Sequence, residues 1–184
     1  MAMFTRIFAY FDMPVEIQNA PDVICPASAR GEVCFEHVDF AYEPGRPALQ
    51  DVSFQLERGR CIALVGPSGA GKSTLIHLIP RLYDVTGGRV LFDGVDVRQL
   101  DLQFLRGSVG LVSQDTYLFN GTVRENLLYA KPGATKQELI EACKKANIHD
   151  LIARQPDGYD TVVGNRGLRL SGGEKQRLNI ARVL

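Results

Sequence analysis

The chain has no net charge: its 21 Lys and Arg are balanced by 21 Asp and Glu. That balance argues against the strongly basic surface on which nucleic-acid binding or a polybasic membrane patch depends. No apolar stretch approaches the roughly 18–20 residues a bilayer-spanning helix needs, and no signal-peptide pattern is present. The four cysteines, Cys25, Cys34, Cys61 and Cys143, form no C-x-x-C pair. Cys61 falls inside an apolar run, so reduced core thiols in a cytosolic setting are the expectation. Repeats and low-complexity tracts are lacking as well. What remains, 184 residues at 45% hydrophobic and 23% charged, is ordinary for one globular domain.

Along the chain, Met3–Asp12 is aromatic-rich, and Pro14 to Arg30 is a Pro/Ala-rich connector without a clear period. From Glu32 to Tyr42 apolar and polar residues alternate, as in a half-buried strand, and Ala48–Leu56 alternates again after a Pro44-Gly45 turn. Cys61–Val65 and Val109–Ser113 read as short buried strands, and Thr74–Ile79 as a helical apolar stretch. A short strand ends at an Asp93-Gly94 turn, and Asp101 is placed to cap a short helix. From Thr122 onward the pattern is helical. Thr122…Glu125 and Thr135…Glu138 are capping boxes, with Leu139, Ile140, Ala142 and Cys143 forming a helical face.

Two glycine-rich runs carry the chemistry. The first, Gly66, Pro67, Ser68, Gly69, Ala70, Gly71, Lys72, Ser73, Thr74, matches G-x-x-x-x-G-K-[ST] between a strand pattern and a helix pattern. Glycines there let backbone N–H groups line an anion-sized nest, and the helix start points its positive end at the same place. Lys72 is placed to reach β and γ phosphates, and the Ser73 hydroxyl to ligate Mg²⁺. A plain glycine-rich turn would match the letters but not the order strand, loop, helix.

The second run is Leu170, Ser171, Gly172, Gly173, Glu174. Ser171 sits at an N-cap, with Glu174 as its capping-box partner. Capping alone needs no ligand, yet two glycines in a first turn cost roughly 1 kcal/mol each. Close approach of another group, such as a phosphate, accounts for them. With Lys175, Gln176 and Arg177 the run resembles the signature motif of ATP-binding cassette (ABC) ATPases. Glu174 stands where many members carry Gln.

The resemblance extends from about Gly31 to the last residue. It implies an α/β P-loop NTPase: an N-terminal antiparallel β subdomain, a partial RecA-like core and a helical subdomain at about 115–184, with residues 1–30 linking to a preceding transmembrane domain. Tyr42, in Phe40-Ala41-Tyr42, resembles the adenine-stacking residue, and Gln114 resembles the Q-loop glutamine that approaches Mg²⁺. Lys72 and Gln114 are thus the implied catalytic residues, and Ser73 and Gln114 the implied metal contacts. Leu118–Asn126 and Gly158–Gly167 resemble stretches of exporter-type members that face coupling helices, the latter like the X-loop. Arg6–Phe11 resembles the tail after the last membrane helix.

The implied cofactors are ATP and Mg²⁺. The implied partners are a second cassette paired head to tail and an exporter's transmembrane domain, at the cytoplasmic face of a plasma or inner membrane. In the family an apolar strand ending in Asp-Glu and a later histidine follow the signature helix. These residues do not contain them, so weak hydrolysis and marginal stability are expected. A soluble non-transport ABC ATPase and a non-catalytic, ATP-responsive dimerisation fragment remain as alternatives.

Overall fold

The structure, a computed structural model, describes residues 4, 8, 11–114, 116–164, 167–168 and 170–184. Most of the Arg6–Phe11 tail, and Asn165 and Arg166 of the X-loop-like stretch, lie outside the described residues. The chain divides into two compact units, Met1–Val109 and Gly110–Leu184.

The first unit is built on an antiparallel hairpin, β1 (Val33–Glu43) and β2 (Arg46–Leu56), closed where Glu43 pairs with Arg46. Gly45, at φ 82°, supplies the left-handed residue of that turn. The buried face of β1 is Val33, Phe35, Val38 and Phe40, so the alternation slips by one residue between Phe35 and Val38. The register shifts at that point. A bulge absorbs the extra residue, with His37 at φ 48° and Asp51 opposite it at φ 47°. Two side chains fix it: the His37 N–H donates to Ser53 Oγ (2.9 Å) and the Asp51 N–H to Asp39 Oδ1 (2.9 Å). Without this slip the downstream apolar residues would face solvent.

β3 (Gly87–Phe92) pairs with the other edge of β1 and turns through Asp93-Gly94 into β4 (Val95–Asp96), giving the order β2-β1-β3-β4. Both turn residues have positive φ, 53° and 82°, as a type I′ hairpin requires. Against the sheet pack two short helices, α1 (Lys72–Leu78) and α2 (Leu102–Ser108). Their Leu75, Leu78 and Leu105 join Phe35, Val90, Phe92 and Leu100 in one core. Asp101 caps α2 by accepting from the Phe104 N–H (2.8 Å).

The Pro/Ala-rich connector is partly tied to this unit. Ile24 bridges Leu100, and Asn19 both donates to Asp101 Oδ2 (2.8 Å) and accepts from the Leu102 N–H (2.9 Å).

Two expectations fail. Among the described residues neither Cys61–Val65 nor Val109–Ser113 pairs into a sheet, and Cys61, Ile62, Val65, Leu111 and Val112 are exposed, Val65 at 88%. A buried parallel strand needs hydrogen-bonded neighbours and cover on both faces. Here the strands of the sheet pair only with one another. The expectation of core thiols is corrected with them: Cys25 and Cys61 are exposed and Cys34 is partly buried, while Cys143 alone is buried.

The second unit is helical. It comprises α3 (Val123–Leu128), α4 (Lys136–Lys145), α5 (His149–Ala153) and α6 (Gly172–Val183), with β5 (Gly121–Thr122) and β6 (Val162–Val163) forming a two-stranded sheet. Both expected capping boxes form at the starts of α3 and α4. The helices share a core of Val123, Leu127, Leu139, Cys143, Ile148, Ile152, Val163 and Leu178. α4 stops where Asn147 takes φ 55° and the Ile148 N–H bonds back to Cys143 O.

The box at α4 makes stability depend on acid. The exposed Glu138 carboxyl is held down to about 2, first by the Lys131 Nζ hydrogen bond and then by the Thr135 N–H and hydroxyl. A carboxyl depressed on folding contributes fully above its unfolded pKa, and the contribution is lost as pH falls toward the folded value. Unfolding midpoints should therefore drop between about pH 4.5 and 2. Glu138→Gln should flatten that part of the profile, and an unchanged slope would refute the assignment.

Thiol exposure gives a second check. Cys25 and Cys61 should label with a maleimide in the native state. Cys143, buried and with its thiol pushed up by desolvation, should label only on unfolding.

Candidate functional site

Gly66–Ala70 form an exposed loop that enters α1 at Lys72. Gly66, Gly69 and Gly71 have φ of 155°, 82° and 82°. Gly71 is the N-cap, and no other residue type fits it. A Cβ there would lie 2.6 Å from Leu49 Cδ2 and 2.7 Å from Ala48 O, in a left-handed conformation. A glycine cap has no side chain to offer, so the first-turn N–H groups of α1 receive no side-chain cap. Pro67, Ser68, Ala70 and Ser73 are exposed around them. Lys72 Nζ donates to Gly66 O (2.9 Å) and Pro67 O (2.6 Å), which anchors the ammonium within the loop. The arrangement is an exposed helix start without a side-chain cap, beside one fixed cation, which suits an anion.

Tyr42 stands beside this loop. Its hydroxyl and Thr74 Oγ1 are hydrogen-bonded at 3.1 Å, and Thr74 is buried while the Tyr42 ring is 52% exposed. The residue expected to stack on a base and the glycine-rich run are thus joined within the first unit.

The Leu170–Glu174 run and Gln114 belong to the second unit. Ser171 accepts from the Glu174 N–H (3.4 Å), and Glu174 Oε2 accepts from the Ser171 N–H (2.7 Å), which completes the box at the start of α6. That backbone hydrogen bond, followed by the one from the Ser171 hydroxyl, holds the Glu174 carboxyl below its usual range. Ser171, Gly172 and Gly173 are exposed, and neither glycine has positive φ. A Cβ at Gly172 would meet nothing within 4 Å, and one at Gly173 only the Arg177 guanidinium, at 3.8 Å. Among the described residues, nothing in the packing calls for the double glycine. Gln114 is exposed.

A cluster that sequence reading missed organises this unit. Asn126 is 1% exposed. Its amide donates to Phe119 O and Thr122 O (both 3.0 Å) and accepts from the Phe119 N–H and Arg182 Nη2 (both 2.9 Å). Arg182 also donates to Asn126 O (3.0 Å) and Tyr117 O (3.2 Å) and lies 5.7 Å from the centre of the Phe119 ring. All four hydrogen-bonding positions of the amide are used. The signal was a polar residue on an apolar helix face, which reads from sequence as solvent-facing.

The profile of the ABC transporter family matches residues 49–184. The chain belongs to the ABC transporter family, and its fold is that of the family's nucleotide-binding cassette.

Its relatives are long proteins. It is 54% identical over 178 residues to the "ABC transporter aclQ" of Aspergillus oryzae, covering 97% of this chain and 22% of that protein. Over 157 residues it is 54% identical to the mitochondrial "Iron-sulfur clusters transporter ATM1" of Gibberella zeae, covering 85% of this chain and 22% of that one. Among solved structures it superposes on a bacterial Atm1-family ABC exporter with ATP bound, at TM-score 0.91 and 44% identity. That match covers 98% of this chain and 32% of the exporter. The chain thus spans about a fifth to a third of the proteins it matches.

Removing the Asn126 hub tests its weight. Asn126→Ala should destabilise the second unit by about 2–4 kcal/mol, because buried carbonyls and a guanidinium lose partners. Chemical denaturation followed by far-UV circular dichroism would read the change. A loss below about 0.5 kcal/mol would show the network to be dispensable.

Proposed function

We propose that this chain is the ATP-binding domain of an exporter-type ABC transporter, where nucleotide binding and hydrolysis drive transport across a membrane. The observation that carries the reading is the exposed Gly66–Ala70 loop entering an uncapped helix, with Lys72 Nζ fixed on its carbonyls. In this reading the backbone of Gly66–Gly71 and the Lys72 ammonium receive the β and γ phosphates, Thr74 and Ser73 lie alongside them, and Tyr42 stacks on adenine.

Mg²⁺ keeps most of its waters and takes one or two protein oxygens beside substrate phosphates. The exposed Ser73 hydroxyl and Gln114 amide oxygen are donors of that kind, and the ion would supply charge neutralisation at the phosphates. Ser171, Gly172, Gly173 and Glu174 serve the nucleotide of a second cassette, paired head to tail. The open backbone at the two glycines supports this role.

Residues 1–30 act as the linker from a transmembrane domain, 31–184 as the cassette, and about 115–184 as its helical subdomain, at the cytoplasmic face of the membrane. Nowhere in the chain do Asp and Glu stand adjacent, and His37, His77 and His149 match no position of the family's switch histidine.

Titration calorimetry with Mg²⁺-ATP tests the phosphate site. Lys72→Ala should weaken binding by about 10- to 100-fold, the worth of charge-assisted hydrogen bonds to phosphate. Unchanged affinity would remove Lys72 from the site.

A further inference from the structure

Three aromatic rings beside the phosphate loop are more ordered than stacking on Tyr42 alone requires. Phe40, 4% exposed, forms the floor, and Tyr42 and Tyr83 rise from it at 52% and 41% exposure. Tyr42 meets Phe40 edge to face (centroids 4.7 Å, planes at 87°) and Tyr83 edge to face (5.2 Å, 88°). Phe40 and Tyr83 complete the triangle at 5.7 Å. With its hydroxyl on Thr74 Oγ1, the Tyr42 ring is fixed from three directions.

Tyr83 is itself held in place. Arg81, 6% exposed and at φ 52°, sends its backbone N–H to Leu78 O and grips Asp84 through Nε (2.7 Å) and Nη2 (3.1 Å). A third contact runs from Arg81 Nη1 to Arg98 O at 3.4 Å. Tyr83 therefore lies between two anchored residues rather than on a free loop. Two half-exposed rings at right angles, braced from below, form a rigid aromatic corner. A flat heteroaromatic ring stacks on one wall of such a corner without reorganising it.

We propose that Tyr83 is a positioning residue for the base of a bound purine nucleoside triphosphate: it fixes the plane of Tyr42 so that the base stacks on the ring's open side. The proposal rests on the reading of Tyr42 and the phosphate loop given above. It concerns base recognition alone, so a ligand without a base should be indifferent to Tyr83.

The test compares Mg²⁺-ATP with Mg²⁺-tripolyphosphate by calorimetry on the unaltered chain, Tyr83→Leu, Tyr83→Phe and Lys72→Ala. Tyr83→Leu should weaken ATP binding about 3- to 10-fold and leave tripolyphosphate within about twofold. Tyr83→Phe, which keeps the ring, should restore ATP affinity. Equal ATP affinity in Tyr83→Leu, or equal loss of both ligands, overturns the proposal. Binding of neither ligand by the unaltered chain, or of both by Lys72→Ala at full strength, overturns the phosphate-site reading itself.

Discussion

The left-handed turn at Gly71 is the constraint on which the candidate site depends. It brings the loop against Ala48 and Leu49 of β2 so closely that a methyl group has no room. That contact joins the start of α1 to the hairpin, and the hairpin carries Tyr42 on its other strand. The Tyr42–Thr74 hydrogen bond then closes the circuit one turn into α1. A substitution at Gly71 would combine positive-φ strain with a clash against backbone, and either alone is enough to move the loop.

The helix starts are capped unevenly: α5, like α1, has no side-chain cap. α3, α4 and α6 each begin with a complete capping box, which satisfies two of the first-turn donors from within the chain. α1 begins with a glycine and receives none. A glycine N-cap forgoes only about a few tenths of a kcal/mol relative to Ser, Thr or Asp at the same place, and the donors then depend on water or a ligand. Good packing offsets that loss here, since Leu75 and Leu78 of α1 lie in the core of the first unit.

Local signals were the legible part of the sequence. The hairpin, the Asp93-Gly94 turn, the Asp101 cap and all three capping boxes depend on residues within a few positions of one another, and each forms as the pattern implies. Where burial depends on distant partners the pattern misled. Cys61–Val65 and Val109–Ser113 have the composition of buried strands, but composition cannot supply the neighbours that bury them. The bulge at His37 was written in the spacing Phe35, Val38, yet a single slip in an alternating run is easily absorbed into the average. Asn126, Arg182 and Tyr83 were illegible for a related reason: their roles come from side chains that meet only after folding.

The start of α6 carries the sharpest conflict between stability and use. Gly172 and Gly173 together forgo roughly 2 kcal/mol against alanine, and the Ser171–Glu174 box returns about half of that. A chain selected for stability alone would place alanine at both positions, since a Cβ meets open space at one and only a flexible guanidinium at the other. Among the described residues, packing therefore does not set this cost. The double glycine leaves open backbone at an exposed helix tip, which is what the proposed approach of a phosphate would use. Gly69 differs: a Cβ there also meets nothing, but the φ of 82° is needed for the loop to turn. In the Gly66–Gly71 run glycine is required by conformation, and at the start of α6 it is not. In the proposed function the two kinds of glycine serve different ends of a bound nucleotide, one in this chain and one in a second cassette.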